Sequence, residues 1–274
     1  MKEVRFFYTP TPEVGQLPSD EAQHALRVLR LGMGDELNLM DGRGSFHRAV
    51  ITEADNHHCR YRILESIAQQ PEWTGHIHLA VAPTKNMDRM EWLAEKATEV
   101  GMDRLSLLDC RFSERRVVKT ERLAKIIVSA MKQSHKAWLP QLDEMTPFQR
   151  FITQPNLPAQ RFIAHCYDQE DIAATASEGS PEGSPEGSSP ATMPPTSPTA
   201  VSDVSPSGSK PFLLDVLASR TPALVLIGPE GDFSIEEVRA AEAVGFRSIS
   251  LGTSRLRTET AALVAVHLMR LANR

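Results

Sequence analysis

Two short stretches near the C-terminal end carry residue types that could hold a small ligand. Residues 224–234 read LVLIGPEGDFS, and residues 251–263 read LGTSRLRTETAAL. In the first, an apolar run ends at Gly228, Pro229 fixes a turn, and Gly231 permits close backbone approach. In the second, Gly252 again permits that approach, Arg255 and Arg257 supply cations, and Thr258 can cap a helix. Bare backbone amides at the carboxyl ends of strands are where open α/β sheets bind ligands. Neither stretch is GxGxxG or a Walker loop. No lysine is present for a phosphate and Glu230 would repel one, which argues against a nucleoside triphosphate. Taken alone, the first stretch is more often a plain structural turn. Two glycine-bearing loops at one edge of one sheet make a cleft floored by backbone groups. Such a cleft suits a neutral or cationic ligand with an adenine ring, and Glu230 favours a positive centre such as a sulfonium.

The elements around these loops set their geometry. From about residue 76 strands and helices alternate. IHLAVA (77–82), LSLL (105–108), RFIAHC (161–166), ALVLI (223–227) and SISL (248–251) read as short buried strands. Asp88 and Glu91 form a candidate capping box for a helix with Met90, Leu93, Ala94, Ala97 and Val100 on one face, stopped by Gly101. Thr120 is a candidate cap for the next helix. Ser234 and Glu237 make a second capping box, and Gly245 closes that helix. The last helix, from about Thr258, is apolar almost all round and is expected to be buried. The alternation predicts a mostly parallel sheet with helices on both faces.

Residues 1 to about 70 are β-rich. Leu37 and Leu39 alternate with polar residues, Asp41-Gly42 supplies a hairpin turn, and a further strand runs through Ile63. A helix capped by Ser19 and ended by Gly32 interrupts them. A small barrel with an inserted helix is the expected shape. The predicted boundaries are 1–72 and 73–274. Within the second part, residues 178–189 read EGSPEGSPEGSS. Composition there cannot bury enough apolar surface to offset its ordering entropy, so about 168–210 is expected to be a disordered surface insertion.

The 274 residues are 41% hydrophobic and 24% charged, the balance of a soluble globular protein. No apolar run approaches the ~20 residues needed to span a bilayer. The N-terminus lacks the apolar core of a signal peptide, and Cys59, Cys110 and Cys166 form no CxxC pair. These features fit the cytoplasm and argue against a metal site. The net charge of −5 argues weakly against a nucleic-acid partner. Averages hide patches, however. Arg111, Arg115, Arg116, Lys119, Arg122, Lys125, Lys132 and Lys136 are opposed nearby only by Glu114 and Glu121, and a second basic region lies near the N-terminus. Solvated faces would look the same.

The pair IGPEGDFS and LGTSRLRTETA closely resembles the signature of the RsmE family, bacterial 16S ribosomal RNA (uracil-N3) methyltransferases of the SPOUT class. RFF at Arg5–Phe7, HALRVLRLGMGDEL from His24, PTKNMDRMEWLAEKATEVG from Pro83, FSERR and MKQSHKAWLP fit as well. The resemblance covers nearly the whole chain outside the low-complexity stretch. Two positions depart from the commoner form, which has Gly at Asp232 and an Arg-Ile or Arg-Val pair at Ser254-Arg255.

The resemblance implies an α/β fold: a C-terminal SPOUT domain with a deep trefoil knot and an N-terminal PUA-like, RNA-binding β-barrel. It implies a homodimer acting on 16S rRNA, within the small ribosomal subunit, with S-adenosyl-L-methionine as cofactor and no metal. The cofactor would lie against Leu226, Ile227, Gly228, Pro229, Gly231, Leu251, Gly252, Leu256 and Thr260, mostly through backbone groups. Arg257 is the candidate for stabilising negative charge on the uracil, and Glu230 and Glu259 are candidates for accepting its proton. Glu259 serves equally well as charge compensation for a helix N-terminus. Arg5, His24, Arg27, Arg30, Lys85, Arg89, Arg115 and Arg116 are candidate RNA contacts. Two alternatives stay open: a non-catalytic RNA-binding assembly factor, and a related knotted methyltransferase acting on tRNA or a ribose 2′-hydroxyl.

Overall fold

The computed structural model describes residues 5–55, 58–168 and 210–274. The predicted insertion therefore lies outside the described residues, apart from its ends at Asp168 and Lys210.

The N-terminal sheet holds β1 (Phe6–Tyr8), β2 (Glu36–Met40), β3 (Ser45–Ala54) and β4 (Cys59–Ala68), in that order. β1 runs parallel to β2, and the other pairs are antiparallel. The predicted Asp41-Gly42 turn joins β2 to β3, and the Asp41 carboxylate accepts from the N–H groups of Arg43 and Ser45 at 2.8 and 2.9 Å. The stretch after β1 crosses to the far edge. There Leu17 N–H donates to Cys59, Tyr61 N–H donates to Gly15, and the Tyr61 hydroxyl donates to the Pro12 carbonyl. The sheet thus wraps round a core of Phe7, Leu37, Leu39, Ile51 and Tyr61.

The helix on this sheet differs from expectation. Pro18, with ψ of 151°, directs the chain so that Ser19 is already the first residue of α1 (Ser19–Gln23), and no side chain caps it. The helix then widens into a π-helical turn over His24–Val28 instead of running to Gly32.

The second sheet has seven strands: β5 (Ile77–Val81), β6 (Arg104–Asp109), β7 (Gln141–Leu142), β8 (Thr146–Pro147), β9 (Gln160–Ala164), β10 (Ala223–Ile227) and β11 (Arg247–Ile249). The order is β11-β9-β10-β5-β6-β7, with β8 also on β6, and every pair is parallel. Its helices are α2 (Met87–Val100), α3 (Thr120–Gln133), α4 (Phe148–Ile152), α5 (Leu213–Val216), α6 (Ile235–Ala243) and α7 (Thr258–Ala272).

Side chains alternate across β10, so the sheet builds two cores. Ala223, Val225 and Ile227 pack with α2, α3 and α7, whereas Leu224 and Leu226 pack with α4 and α6. Each fully buried Leu or Ile stabilises the fold by about 1.5–3 kcal/mol. This is the predicted parallel sheet with helices on both faces.

Capping differs in detail. The Ser234–Glu237 box is present, with Ser234 Oγ accepting from Glu237 N–H and Glu237 accepting from Ser234 N–H. Asn86, not Asp88, caps α2, and Glu91 instead meets Arg122 of α3 at 2.6 Å. Thr120 is the first residue of α3, and its hydroxyl donates to Glu144. No helix among the described residues is long and apolar enough to cross a membrane.

The two sheets meet at the end of α3. Gly44 N–H donates to the Ala137 carbonyl at 3.0 Å, and Leu139 N–H donates to that of Gly42 at 2.9 Å. Lys132 pairs with Glu21 at 2.6 Å, and Phe6 packs on His135.

Candidate functional site

Because the strands are parallel, the loops that follow β9, β10 and β11 leave from one edge of the sheet. They line a cavity of about 920 Å³. The β10 loop contributes Gly228, Pro229, Glu230 and Asp232, and the β11 loop contributes Leu251, Gly252, Leu256 and Arg257. Ile227 closes the strand end, His165 and Cys166 follow directly on β9, and Arg89 comes from the first turn of α2.

The β11 loop is held open. Ser250 Oγ accepts from Gly252 N–H at 3.1 Å and donates to the Gly252 carbonyl at 3.0 Å. Gly252 has φ of 125°, and a Cβ built there meets nothing within 4 Å. The backbone therefore faces empty space, the cradle expected for a ligand held by main-chain groups. Gly228 differs: its Cβ would stand 3.0 Å from Phe233 N and 3.1 Å from the Phe233 ring. Gly228 makes room for the turn itself. Asp232 sits at φ of 68°, a left-handed conformation that Asp tolerates better than most residues. Its carboxylate accepts from Cys166 N–H at 2.8 Å and from Phe233 N–H at 2.7 Å, tying the β10 loop to the end of β9. A backbone that suits glycine is here kept by a side chain that sews two cavity loops together.

The His165 imidazole at the end of β9 is uncharged at neutral pH. Burial first, and the Lys210 ammonium second, push the His165 imidazole down to about 4. Its Nε2 shares a 2.8 Å hydrogen bond with Ser248 Oγ, which donates to Glu242. Lys210 donates to the Tyr167 carbonyl at 2.7 Å and to that of His165.

The acidic candidates share one cation. Arg89 stands 3.7 Å from both Glu230 and Glu259. Glu230 lines the cavity and accepts from Lys85 N–H at 3.1 Å. Glu259 is buried and is not in the cavity wall. Its Oε2 has no partner among the described residues. Arg257 is exposed at the cavity mouth as the N-cap residue of α7. The cap thus falls one residue earlier than the predicted Thr258, and no side-chain bond forms there.

The model for the RNA methyltransferase domain matches residues 71–184 and 199–270, and that for the RNA methyltransferase PUA domain matches residues 17–64. The chain belongs to the RNA methyltransferase domain family. The probable rRNA-methyltransferase from Porphyromonas gingivalis is 39% identical, with a TM-score of 0.79 and 98% of each chain covered. A putative methyltransferase from Legionella pneumophila, solved with bound cofactor SAM, is 24% identical at a TM-score of 0.75, again with 98% of each chain covered. Ribosomal RNA small subunit methyltransferase E of Mycobacterium tuberculosis is 27% identical over 97% of this chain and 90% of its own. That of Rickettsia conorii is 26% identical over 93% and 89%.

In this RNA methyltransferase the predicted cofactor contacts divide. Ile227, Gly228, Pro229, Leu251, Gly252 and Leu256 line the cavity, but Leu226, Gly231 and Thr260 do not. The alternation along β10 turns Leu226 to the other face, where it packs near Phe148 and Phe233.

The methyltransferase's basic residues form two groups. Lys85, Arg89, Arg115 and Arg116 gather beside the cavity. Arg115 donates to the Lys85 carbonyl at 2.6 Å, Lys85 pairs with Glu114 at 2.9 Å, and Arg116 pairs with Asp109 at 2.8 Å. Arg5, His24, Arg27 and Arg30 belong to the N-terminal sheet, on or just after the π-turn except for Arg5 before β1. Among the described residues no group of His, Cys, Asp and Glu is placed to hold a metal ion. Sequence reasoning missed His165, Cys166 and Lys210. For His165 and Cys166 the signal was the carboxyl end of the RFIAHC strand, which obeys the same edge rule as the two glycine loops; Lys210, more than forty residues along the chain, reaches the site only through the fold.

Proposed function

We propose that this protein methylates N3 of a uridine in the 16S RNA of the small ribosomal subunit, using S-adenosylmethionine, as a cytoplasmic homodimer. The observation that carries the reading is the open cradle at Gly252, facing the Gly228–Asp232 loop across one cavity with Arg257 at its mouth. The SAM-bound neighbour and the small-subunit rRNA relatives support cofactor and substrate.

Bound S-adenosylmethionine supplies an electrophilic methyl group. The chain's residues must deliver the nucleophile. N3 of uracil carries a proton at neutral pH and becomes nucleophilic only when that proton leaves. Glu230, in the cavity wall, is better placed to accept it than Glu259, which is buried behind Arg89. Arg257 balances the negative charge that spreads onto the flanking carbonyl oxygens. His165 itself is neutral, and the Lys210 ammonium beside it in the cavity lining is held by the His165 and Tyr167 carbonyls.

The homodimer belongs to the same reading through the family resemblance. The trefoil knot belongs to the same reading. Its support is the return of α7 from the β11 edge to pack on α2 and β5.

The test is mass spectrometry of small-subunit RNA from cells lacking the protein. A uridine short of one base methyl group, restored by purified protein and S-adenosylmethionine, supports the reading. Restoration on a ribose hydroxyl or on tRNA overturns it.

A further inference from the structure

The loop between β6 and α3 holds an exposed aromatic ring that the reaction does not explain. Phe112 is 46% exposed. Its backbone is nevertheless pinned on both sides. Arg111 N–H donates to Glu237 at 2.8 Å, Cys110 N–H donates to the buried Ser113 hydroxyl at 3.0 Å, and Arg116 donates to the Arg111 carbonyl at 3.1 Å. The Phe112 Cβ lies 3.5 Å from where a Cβ of Gly231 would stand, so the ring borders the loop that carries Glu230 and Asp232. The Arg111 guanidinium lies 5.6 Å from the ring centroid. Arg115, Arg116 and Lys119 lie in the same loop, which also holds the exposed Val117, while Arg111 pairs with Glu236 at 2.9 Å and Arg116 with Asp109 at 2.8 Å.

Leaving a phenyl ring in water wastes the stabilisation that burial would give. Holding it rigid there makes sense when a flat apolar ligand arrives. Cations around an aromatic ring are the composition that binds unpaired nucleic acid: the cations track phosphates and the ring takes a base face.

We propose that Phe112 is a stacking platform for an RNA nucleobase other than the one that enters the cavity, and so a positioning residue for the substrate. This rests on the RNA substrate of the proposed function. The platform fixes the neighbouring nucleotide beside the β10 loop, so that the target base reaches the Arg257 mouth without further search.

Steady-state methylation of small subunits from cells lacking the protein provides the test, with Phe112→Ala, Phe112→Leu and Phe112→Trp. Phe112→Ala is expected to raise KM for the subunit by about tenfold to a hundredfold, the range of a lost base stack. The change in kcat should be small, and S-adenosylmethionine affinity should be unaltered. Phe112→Trp should restore KM, and Phe112→Leu should not. The salt dependence of RNA binding should keep its slope in Phe112→Ala and lose about one unit in Arg116→Ala. A Leu variant equal to wild type overturns the proposal, because bulk without a π-face would then suffice. So does a Phe112→Ala protein with normal KM and an altered oligomeric state, which would assign the ring to a second copy of the chain. Wild-type protein that methylates no small subunit overturns the proposed function as well, an outcome distinct from the other two.

Discussion

The Arg89 guanidinium stands 3.7 Å from the Glu230 carboxylate at the cavity mouth, and the same distance from Glu259 on its other side. An arginine read from sequence as a phosphate contact is thus occupied by two acids. Glu259 is the more demanding partner, since its side chain is only 10% exposed. Removing the cation strands a buried carboxylate. Arg89→Ala should lower the unfolding free energy by about 2 kcal/mol, measured by urea denaturation. Adding Glu259→Gln should recover part of that loss. Unchanged stability, with weaker RNA binding and a shallower salt slope, would return Arg89 to the phosphate role.

Arg257→Ala should lower kcat by on the order of 10²–10³, the loss typical of a preorganised charge stabiliser. Cofactor affinity should hardly change. Arg257→Lys should rescue only in part, because an ammonium cannot reproduce the planar fork. Arg255→Ala should be milder. Single-turnover methylation distinguishes the two arginines, and equal small effects would remove both from the chemistry.

The two cavity glycines should fail differently. At Gly228 a side chain meets Phe233 backbone and ring. Gly228→Val should therefore cost about 3 kcal/mol of stability, an overpacking effect. At Gly252 the space is open and only the φ of 125° objects. Gly252→Val should keep the fold at a cost of about 1–3 kcal/mol and lose cofactor binding. Calorimetry with S-adenosylmethionine, alongside thermal melts, separates the two. Normal cofactor binding by Gly252→Val would move the pocket elsewhere.

Two buried histidines set an acid limit. Burial, then Arg104, pushes His78 down to about 3 against the opposing pull of Asp143, with His76 also contributing. His165 is held at about 4 by burial and Lys210, with Asp232 opposing. Both are neutral when folded and take up a proton near pH 6.5 when unfolded. Their contribution to stability is complete above about pH 6.5 and is lost as pH falls toward the folded values. Urea midpoints should drop across that window, and His165→Gln should flatten the drop. An unchanged profile in that variant would contradict the assignment.

Much of this architecture was legible because it is local. The capping box at Ser234, the hairpin at Asp41 and the apolar strand run from Ala223 to Ile227 each declare themselves within a few residues, whereas the facing of Leu226 away from the cavity does not. The cavity loops were legible for the same reason, through their glycines. What stayed hidden depends on partners far along the chain. Arg89 is separated from Glu230 and Glu259 by most of the domain, so no spacing announces the clamp. β7, β8 and α4 are too short to show a period, and they exist because β6 and the Phe148–Phe151 core give them somewhere to pack. Asn86 displaced Asp88 as a cap because neighbouring polar residues compete for the same few amide groups, and backbone direction decides among them.

The seam between the two sheets has a mechanical meaning. The Trp138 ring lies where a Cβ of Gly44 would stand, 2.3 Å from its nearest atom, so the N-terminal sheet is seated against α3 with no room for a side chain between. Paired main-chain bonds and the Lys132–Glu21 contact bolt the seat down. The same seat joins the π-turn region to the sheet that carries the Arg257 mouth. A strand that engaged both would have to follow the path that this seat sets.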